Sequence, residues 1–238
     1  MIDFNIQKIV PLCEEFGLTV DGTVSDRLNL YGNLLIEWNE KMNLTAITEP
    51  EEVLYKHFLD CLLFFKHVSV EPKSKIIDVG TGAGFPGLVL KIARPDIELT
   101  LMDGLNKRLT FLNAVLSELG LQAQTVHSRA EDSGKNPLYR ENFDIACARA
   151  VANLPVLCEY CIPFVKVGGH FVAMKGASAN EELLSAQNAY NVLGCEKPVI
   201  ICENLRENES RAFIIAKKIS QTPPKYPRMN GKIAKSAL

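Results

Sequence analysis

The sequence predicts a doubly wound α/β fold: a mostly parallel sheet of seven strands that ends in an antiparallel hairpin and is preceded by an amino-terminal helical segment. Three observations carry that expectation. Between residues 76 and 217, short apolar runs of strand length alternate with stretches of helical period, the pattern of a parallel sheet covered on both faces. The first run ends in glycines, within Asp78-Val-Gly-Thr-Gly-Ala-Gly-Phe-Pro-Gly87, where a strand must turn sharply into a helix. The last two runs are separated only by residues 203–210, too short for a helical crossover, so they should pair antiparallel.

Taken in order, the first 70 residues read as helices. Leu28, Tyr31, Leu34, Leu35 and Trp38 recur at helical spacing. Thr48-Glu-Pro-Glu51 has the form of a capping box with proline in the first turn, opening a helix that continues to Phe65. Strands are expected at 76–79, 98–102, 123–127, 143–148, 169–174, 199–202 and 211–217, the fifth after a Gly-Gly turn. Helices are expected at 85–94, 107–119, 153–165 and 179–193. The polar stretch Glu71-Pro-Lys-Ser-Lys75 separates the two regions. The expected division is a helical segment over 1–70, a sheet domain over 71–220 and a basic tail over 221–238.

No apolar run reaches the ~18 residues of a membrane span, and the first residues lack the basic start and apolar core of a secretory signal. The seven cysteines are scattered, and only Cys158 and Cys161 have metal-like spacing, with no second pair to complete a zinc site. Buried free thiols in a reducing cytoplasm, and no metal, are the expectation. From Arg211 onward there are seven basic residues and no acidic one; the remainder holds 19 basic against 28 acidic residues. A basic tail on an acidic body is a candidate contact for a polyanion, or a solvated terminus.

Gly80, Gly82 and Gly84 lie between the first strand and its helix, where free amide groups face a ligand bound beyond the carboxyl ends of the strands. Gly82-x-Gly84-x-x-Gly87 also matches the nicotinamide fingerprint, so the glycines alone do not choose the ligand. Two acidic positions favour S-adenosylmethionine. Asp78, inside the strand, suits the ammonium group of a methionine moiety and would repel a pyrophosphate. Ala130-Glu131, after the third strand, supplies an acidic turn for an adenine amine. Asp103, ending the second strand, serves ribose hydroxyls in both cofactor classes. The alternatives are a loop-bracing carboxylate for Asp78 and a helix cap for Asp103. A nicotinamide oxidoreductase would need a Tyr-x-x-x-Lys pair or an equivalent, and no tyrosine here has lysine at that spacing.

Several further stretches count together: Trp38-Asn-Glu-Lys-Met-Asn-Leu-Thr-Ala-Ile-Thr48, Lys56-His-Phe-Leu-Asp60, Asn106-Lys-Arg108, Arg149-Ala-Val151 and Thr222-Pro-Pro-Lys-Tyr-Pro-Arg228. With the glycine loop they resemble the bacterial small-subunit ribosomal RNA N7-guanine methyltransferases, over nearly the whole chain. The resemblance implies a Rossmann-like methyltransferase fold and methyl transfer to one guanine in the decoding-centre stem-loop of 16S ribosomal RNA. It implies S-adenosylmethionine as donor and S-adenosylhomocysteine as product. It also implies a cytoplasmic monomer acting on 16S ribosomal RNA, in the small subunit or an assembly intermediate, with no membrane partner. By position it places cofactor contacts on Gly80, Phe85, Ala130, Glu131 and Arg149, with Asp103, Gly104 and Leu105 near the ribose. The tail departs from the family pattern: both prolines of Gly-x-Pro-x-Lys-x-Pro-Leu are replaced in Gly231-Lys-Ile-Ala-Lys-Ser-Ala-Leu238.

Guanine N7 has a lone pair and no proton, so attack on a sulfonium methyl requires alignment and charge tolerance but no general base. No Asn/Asp-Pro-Pro-aromatic motif for exocyclic amines follows the fourth strand, where Ala148-Arg149-Ala150-Val151 stands instead. Cys147 lacks the preceding proline of a cytosine-C5 nucleophile and reads as core. Arg149 is the candidate catalytic charge, able to hold an RNA phosphate or the methionine carboxylate, or to pair with Glu131 or Asp132. His57 and Asp60 share a helix face and either reach the substrate or pin the amino-terminal helices to the sheet, the preferred reading for His57. In the tail, Lys225, Tyr226 and Arg228 combine cations with a ring able to stack on a base, which points to RNA affinity. The alternative is a tail packed on the domain. A non-catalytic RNA-binding protein is the third class considered, and the intact glycine loop argues against it.

Overall fold

The computed structural model describes residues 1–206 and 209–238. The amino-terminal helices are α1 (Val10–Glu14) and α2 (Gly22–Met42), followed by α3 (Pro50–Val53), a π-helical turn (Leu54–Leu59), α4 (Asp60–Leu62) and α5 (Phe64–His67). Asp21 caps α2 by accepting from Val24 N at 2.8 Å, and Asn43, with φ 50°, ends it in the left-handed region. The expected capping box at Thr48 does not form. Glu49 is the N-cap and makes no side-chain cap, so Pro50, pre-set in φ, begins α3.

The sheet domain runs β1 (Lys75–Val79), α6 (Gly87–Ala93), β2 (Glu98–Asp103), α7 (Asn106–Glu118), β3 (Gln124–His127), α8 (Ala130–Ser133), β4 (Phe143–Arg149), α9 (Leu154–Cys161), β5 (Val165–Lys175), α10 (Ala179–Ser185), α11 (Gln187–Leu193), β6 (Val199–Arg206) and β7 (Glu209–Lys217). The chain ends in α12 (Asn230–Lys235). The spatial order is β3-β2-β1-β4-β5-β7-β6, parallel from β3 to β5, with β7 antiparallel to both its neighbours. The seven expected strands are all present, and the terminal hairpin is antiparallel. The connection expected over 203–210 includes residues 207 and 208, which lie outside the described residues; β6 and β7 run further toward it than expected. Three details differ. The helix expected at 179–193 is two, meeting at Ala186. β5 begins at Val165, so Gly168 and Gly169 lie inside it, at a shift of register against β4, rather than in a turn before it. α6 starts at Gly87, because residues 81–86 are spent turning over the end of β1.

Side-chain alternation divides the core in two. Ile76, Ile145 and Cys147 face the amino-terminal helices together with α6 and α7, where Tyr31, Phe58 and Phe111 lie. Ile77, Val79, Ala146 and Ala148 face α9 and α11, with Leu157, Phe171 and Tyr190. Every second residue of β1 and β4 therefore belongs to one side or the other. That parity decides what the charged residues at the strand ends can reach.

Candidate cofactor site and the adjoining cleft

The glycine loop leaves β1 at the carboxyl edge of the sheet. Gly80 N and Thr81 N both donate to Met102 O, at 2.8 and 3.0 Å, which folds the loop against β2. Gly80 and Gly82 adopt φ of 70° and 61°, a region that costs a side chain energy. A Cβ at Gly80 would strike Val151 at 2.7 Å, whereas one at Gly82 would meet nothing nearer than Gly80 O at 3.9 Å. Gly80 therefore allows close packing and Gly82 borders open space.

Asp78 is fully buried beneath this loop. Its Oδ2 accepts from Thr81 Oγ1 at 2.7 Å and from Gly87 N at 2.8 Å, so it braces the loop and the start of α6. Its Oδ1 is buried with no hydrogen-bond partner among the described residues, and burial pushes the carboxyl up to about 6. Asp103, nearly as buried, binds Gly82 N at 3.0 Å, Leu105 N at 2.8 Å and the Arg108 guanidinium at 3.1 Å.

Beside them lies a cavity of about 250 Å³, lined by Gly80, Asp103, Gly104, Ala130 and Glu131 from the expected set. Sequence reasoning missed the rest of the wall, which includes Met102, Arg129, Val151, Ala152, Val156 and Tyr160. Tyr160 was legible only as part of a helix pattern, since nothing local marks which face of α9 meets a ligand. A larger cavity of about 600 Å³, at the opposite edge of the sheet, contains none of the motif residues.

Gly82, Gly84, Phe85, Leu105, Asp78 and Arg149 do not line the 250 Å³ cavity. Two of these have side chains engaged elsewhere, and the ion pair considered for Arg149 is not the one formed. The Phe85 ring is core: it stacks on His57 at 4.2 Å and packs on Tyr31 at 5.4 Å. Arg149 pairs with neither Glu131 nor Asp132. It shares the parity of Cys147, so it points to the amino-terminal helices, where it donates to Asp60 Oδ2 at 2.8 Å, Lys56 O at 3.0 Å and, across 3.0 Å, meets His57 Nδ1. Its guanidinium also lies 4.8 Å from the Phe85 ring centre. The His57 Nε2 meets Thr45 Oγ1 at 3.0 Å, and burial, with the Arg149 charge, holds the imidazole down to about 3. His57 and Asp60 thus pin the helices to β4. The π-helical turn carries His57 toward Arg149, with Asp60 at the start of α4.

Arg149 lines a second cleft of about 410 Å³ with Lys56, Asp60, Met174, Lys175 and Arg211. Arg149 and Ala150 face this cleft, while Val151 and Ala152 face the smaller cavity, so one stretch of chain after β4 walls both. Cys147, within β4, is buried, with its thiol held well above the usual range by burial, and is core rather than nucleophile.

The tail residues fall elsewhere. Tyr226 is buried at 6% exposure and is not available to stack on a base. Arg228 grips the fully buried Glu159 through Nη2 at 2.6 Å and Nε at 2.9 Å. Lys225 lies over the Tyr226 ring, 5.2 Å from its centre, and remains exposed. The tail packs on the domain because Arg140 donates to Thr222 O at 2.6 Å and Tyr226 O at 2.8 Å.

A glycine loop over an open parallel sheet, an acid at the end of β2, a second acid after β3 and a terminal β7 slotted antiparallel between β5 and β6 define a Rossmann-like methyltransferase. Residues 25–212 match the family described as rRNA small subunit methyltransferase G, and the chain belongs to that family. It is 48% identical to the ribosomal RNA small subunit methyltransferase G of Clostridium perfringens (strain 13 / Type A) over 95% of each chain. It is also 48% identical to that of Desulfitobacterium hafniense (strain Y51), over 94% of each. Among solved structures, the YcgJ protein of Bacillus subtilis superposes with a TM-score of 0.53 at 13% identity, covering 69% of this chain and 100% of that one. A fibrillarin/Nop5p complex gives 0.52 at 15% identity, covering 69% and 82%. Those two likenesses show the fold. The chain is a methyltransferase dependent on S-adenosylmethionine, and none of its helices among the described residues is long and apolar enough to cross a membrane.

Proposed function

We propose that the chain methylates N7 of a single guanine in the decoding-centre stem-loop of 16S ribosomal RNA. The observation that carries the reading is the shared wall after β4, with an acid-lined cavity on one side and a cation-rich cleft on the other, in a member of this family.

The residues present fit the cofactor. Asp103 and Glu131 would hold the ribose and the adenine, and Gly80 and Gly104 let the backbone come close. The cavity is smaller than the roughly 300–1,000 Å³ of sites that enclose a whole ligand, so it takes part of one. The buried Asp78 Oδ1, without a hydrogen-bond partner among the described residues, is suited to the ammonium end. Bound there, S-adenosylmethionine supplies a methyl group on a cationic sulfur.

Guanine N7 has no proton to remove, so the protein needs no base beside it. The groups near the wall agree: His57 is neutral with both nitrogens engaged, and Cys147 is buried and un-ionised. Arg149 acts as a positioning residue, fastening β4 to the amino-terminal helices rather than touching the reacting atoms. We further propose a cytoplasmic monomer that takes 16S ribosomal RNA within the small subunit or an assembly intermediate.

Mass mapping of methylated guanines in 16S ribosomal RNA, from cells with and without the gene, tests the reading. One N7-methylguanine in the decoding-centre stem-loop should vanish with the gene. Its persistence, with loss of a methyl group from another RNA or a small molecule, would reassign the substrate.

A further inference from the structure

The 410 Å³ cleft on the far side of the wall from the cofactor cavity has no assigned ligand. Its size falls within the range of ligand sites, roughly 300–1,000 Å³. Lys56, Arg149, Lys175 and Arg211 bring four cations to its lining, against the two carboxylates Asp60 and Glu182. These cations are not equally engaged. Arg149 has three of its five donors engaged, on Lys56 O, Asp60 and His57, and its guanidinium is packed against the Phe85 ring. Lys175 donates to Glu182 at 2.7 Å and to Ala152 O at 2.6 Å, and Lys56 is paired with Glu52 and Glu209 from outside the cleft.

Arg211 differs. Its one hydrogen bond among the described residues goes to the carbonyl of its neighbour Ser210. Its Nε forms an ion pair with Asp60 Oδ1 at 3.2 Å, an oxygen with no hydrogen bond among the described residues, and the other oxygen of the same carboxylate is already held by Arg149. Arg211 is thus a cation whose Nη2 is uncommitted among the described residues, lining a cleft with apolar patches from Ile47, Ala150, Met174 and Phe213. A phosphate needs such a fork of donors, and a purine face needs such an apolar surface. Ala150 supplies an independent observation. It holds φ 56°, a left-handed conformation that strains a residue other than glycine, at the point where the chain passes between cavity and cleft.

We propose that this cleft receives the target nucleotide, its phosphate on Arg211 and its base against Met174 and Ala150. This rests on the reading above that the substrate is RNA, and it names the residues that take that RNA beside the cofactor.

The five methionines include one reporter for each space: Met102 lines the cofactor cavity and Met174 the cleft. In the full chain labelled with ¹³C-methyl methionine, guanosine 5′-monophosphate should shift the Met174 signal and leave Met102 in place. S-adenosylhomocysteine should do the reverse. Arg211→Gln should raise KM for 16S ribosomal RNA about tenfold, the effect of one charge-assisted hydrogen bond, with kcat and S-adenosylhomocysteine affinity unchanged. The salt dependence of RNA binding should flatten by about 0.7–0.9 in slope, the share of one phosphate contact. Arg211→Lys, which keeps the charge and loses the fork, should fall between, and it decides the matter if Arg211→Gln does not fold. A Met174 signal unmoved by the nucleotide, a shift at Met102 instead, or an unchanged RNA KM in the folded variant overturns the assignment. Should the wild-type protein leave 16S ribosomal RNA unmethylated, the substrate reading fails, and the Met174 response alone then decides the cleft.

Discussion

The glycine loop and the carboxyl-terminal segment are both short, lie near the cofactor cavity and stand out in the sequence, yet they are built on opposite principles. The loop is determined by its own backbone. Gly80, Gly82 and Gly84 all have positive φ, and the hydrogen bonds that shape the loop run to Asp78, Thr81 and the neighbouring ends of β2 and α6. The tail is determined by residues far away in sequence. Glu159 holds Arg228 across 69 positions, and Glu141 holds both Thr222 N, at 2.8 Å, and the buried Lys218, at 2.9 Å. The difference teaches that a count of basic residues describes a chain, not a surface. Of the seven after Arg211, inclusive, Lys218 and Arg228 are spent inside the fold.

The largest effect should come from removing the tail. Deleting residues 222–238 strips Glu159, fully buried in the intact chain, of its only ion-pair partner among the described residues, and removes the segment that covers this part of α9. Loss of a buried pair costs up to about 3–5 kcal/mol where the remaining charge stays buried, and less where water reaches it. Helix α9, which carries Glu159, also presents Val156 and Tyr160 to the cofactor cavity, and Pro227 packs on Gly134 at the end of α8. Denaturant unfolding should therefore show a large loss of stability, and calorimetry a loss of S-adenosylhomocysteine affinity. A truncated chain with native stability and native cofactor affinity, weakened only toward RNA, would erase the distinction between loop and tail and restore the tail as an RNA arm.

On the loop side, Gly82→Val should weaken cofactor binding about a hundredfold or more. The cause is φ 61°, which a β-branched residue adopts only at a cost, and the open space before Gly82, which the new side chain would fill. Gly82→Asn tolerates the same φ and should lose much less. Equal losses for both in isothermal titration would mean that the space, not the backbone, is decisive.

The same contrast explains what was legible in the sequence. The succession of strands and helices and the antiparallel pairing of the last two strands needed only hydrophobic period and connection length, and the glycine loop needed only local steric argument, so these could be read. Arg149 was visible as a charge at the cleft edge, but its partner depended on strand parity carried up from Ile145 and Cys147. Asp60, which sits 89 residues earlier, was read as a possible pin without its cation being named. Phe85 is placed beside the cofactor by the family resemblance alone, and no local pattern announces that its ring packs on Tyr31 and His57. The Val151, Ala152 and Tyr160 wall was illegible because apolar residues that line a cavity and those that fill a core are the same residues in a sequence.

The finest distinction concerns Asp78, which lies where loop and ligand meet. Burial raises its carboxyl from 3.8 to about 6. Because the folded pKa lies above the unfolded one, the folded chain holds this proton more tightly, and stability falls as pH rises through that window; above it the full penalty stands, roughly 3 kcal/mol. An ammonium group favours the ionised form. Cofactor affinity should therefore rise as pH increases through about 6 and level off near neutrality, opposite in sign to the effect on stability. Asp78→Asn keeps an oxygen for Gly87 N and Thr81 Oγ1, removes the ionisation penalty, and should be no less stable than the wild type at neutral pH. It should bind S-adenosylmethionine about ten- to a hundredfold more weakly there, one charge-assisted hydrogen bond being worth about 1.5–3 kcal/mol, and its affinity should no longer change through the window. Calorimetry at several pH values, beside denaturant unfolding of both proteins, measures the two effects separately. If the variant binds as tightly as the wild type at neutral pH, Asp78 braces the loop and does nothing more, and the ammonium end must be held by the backbone alone.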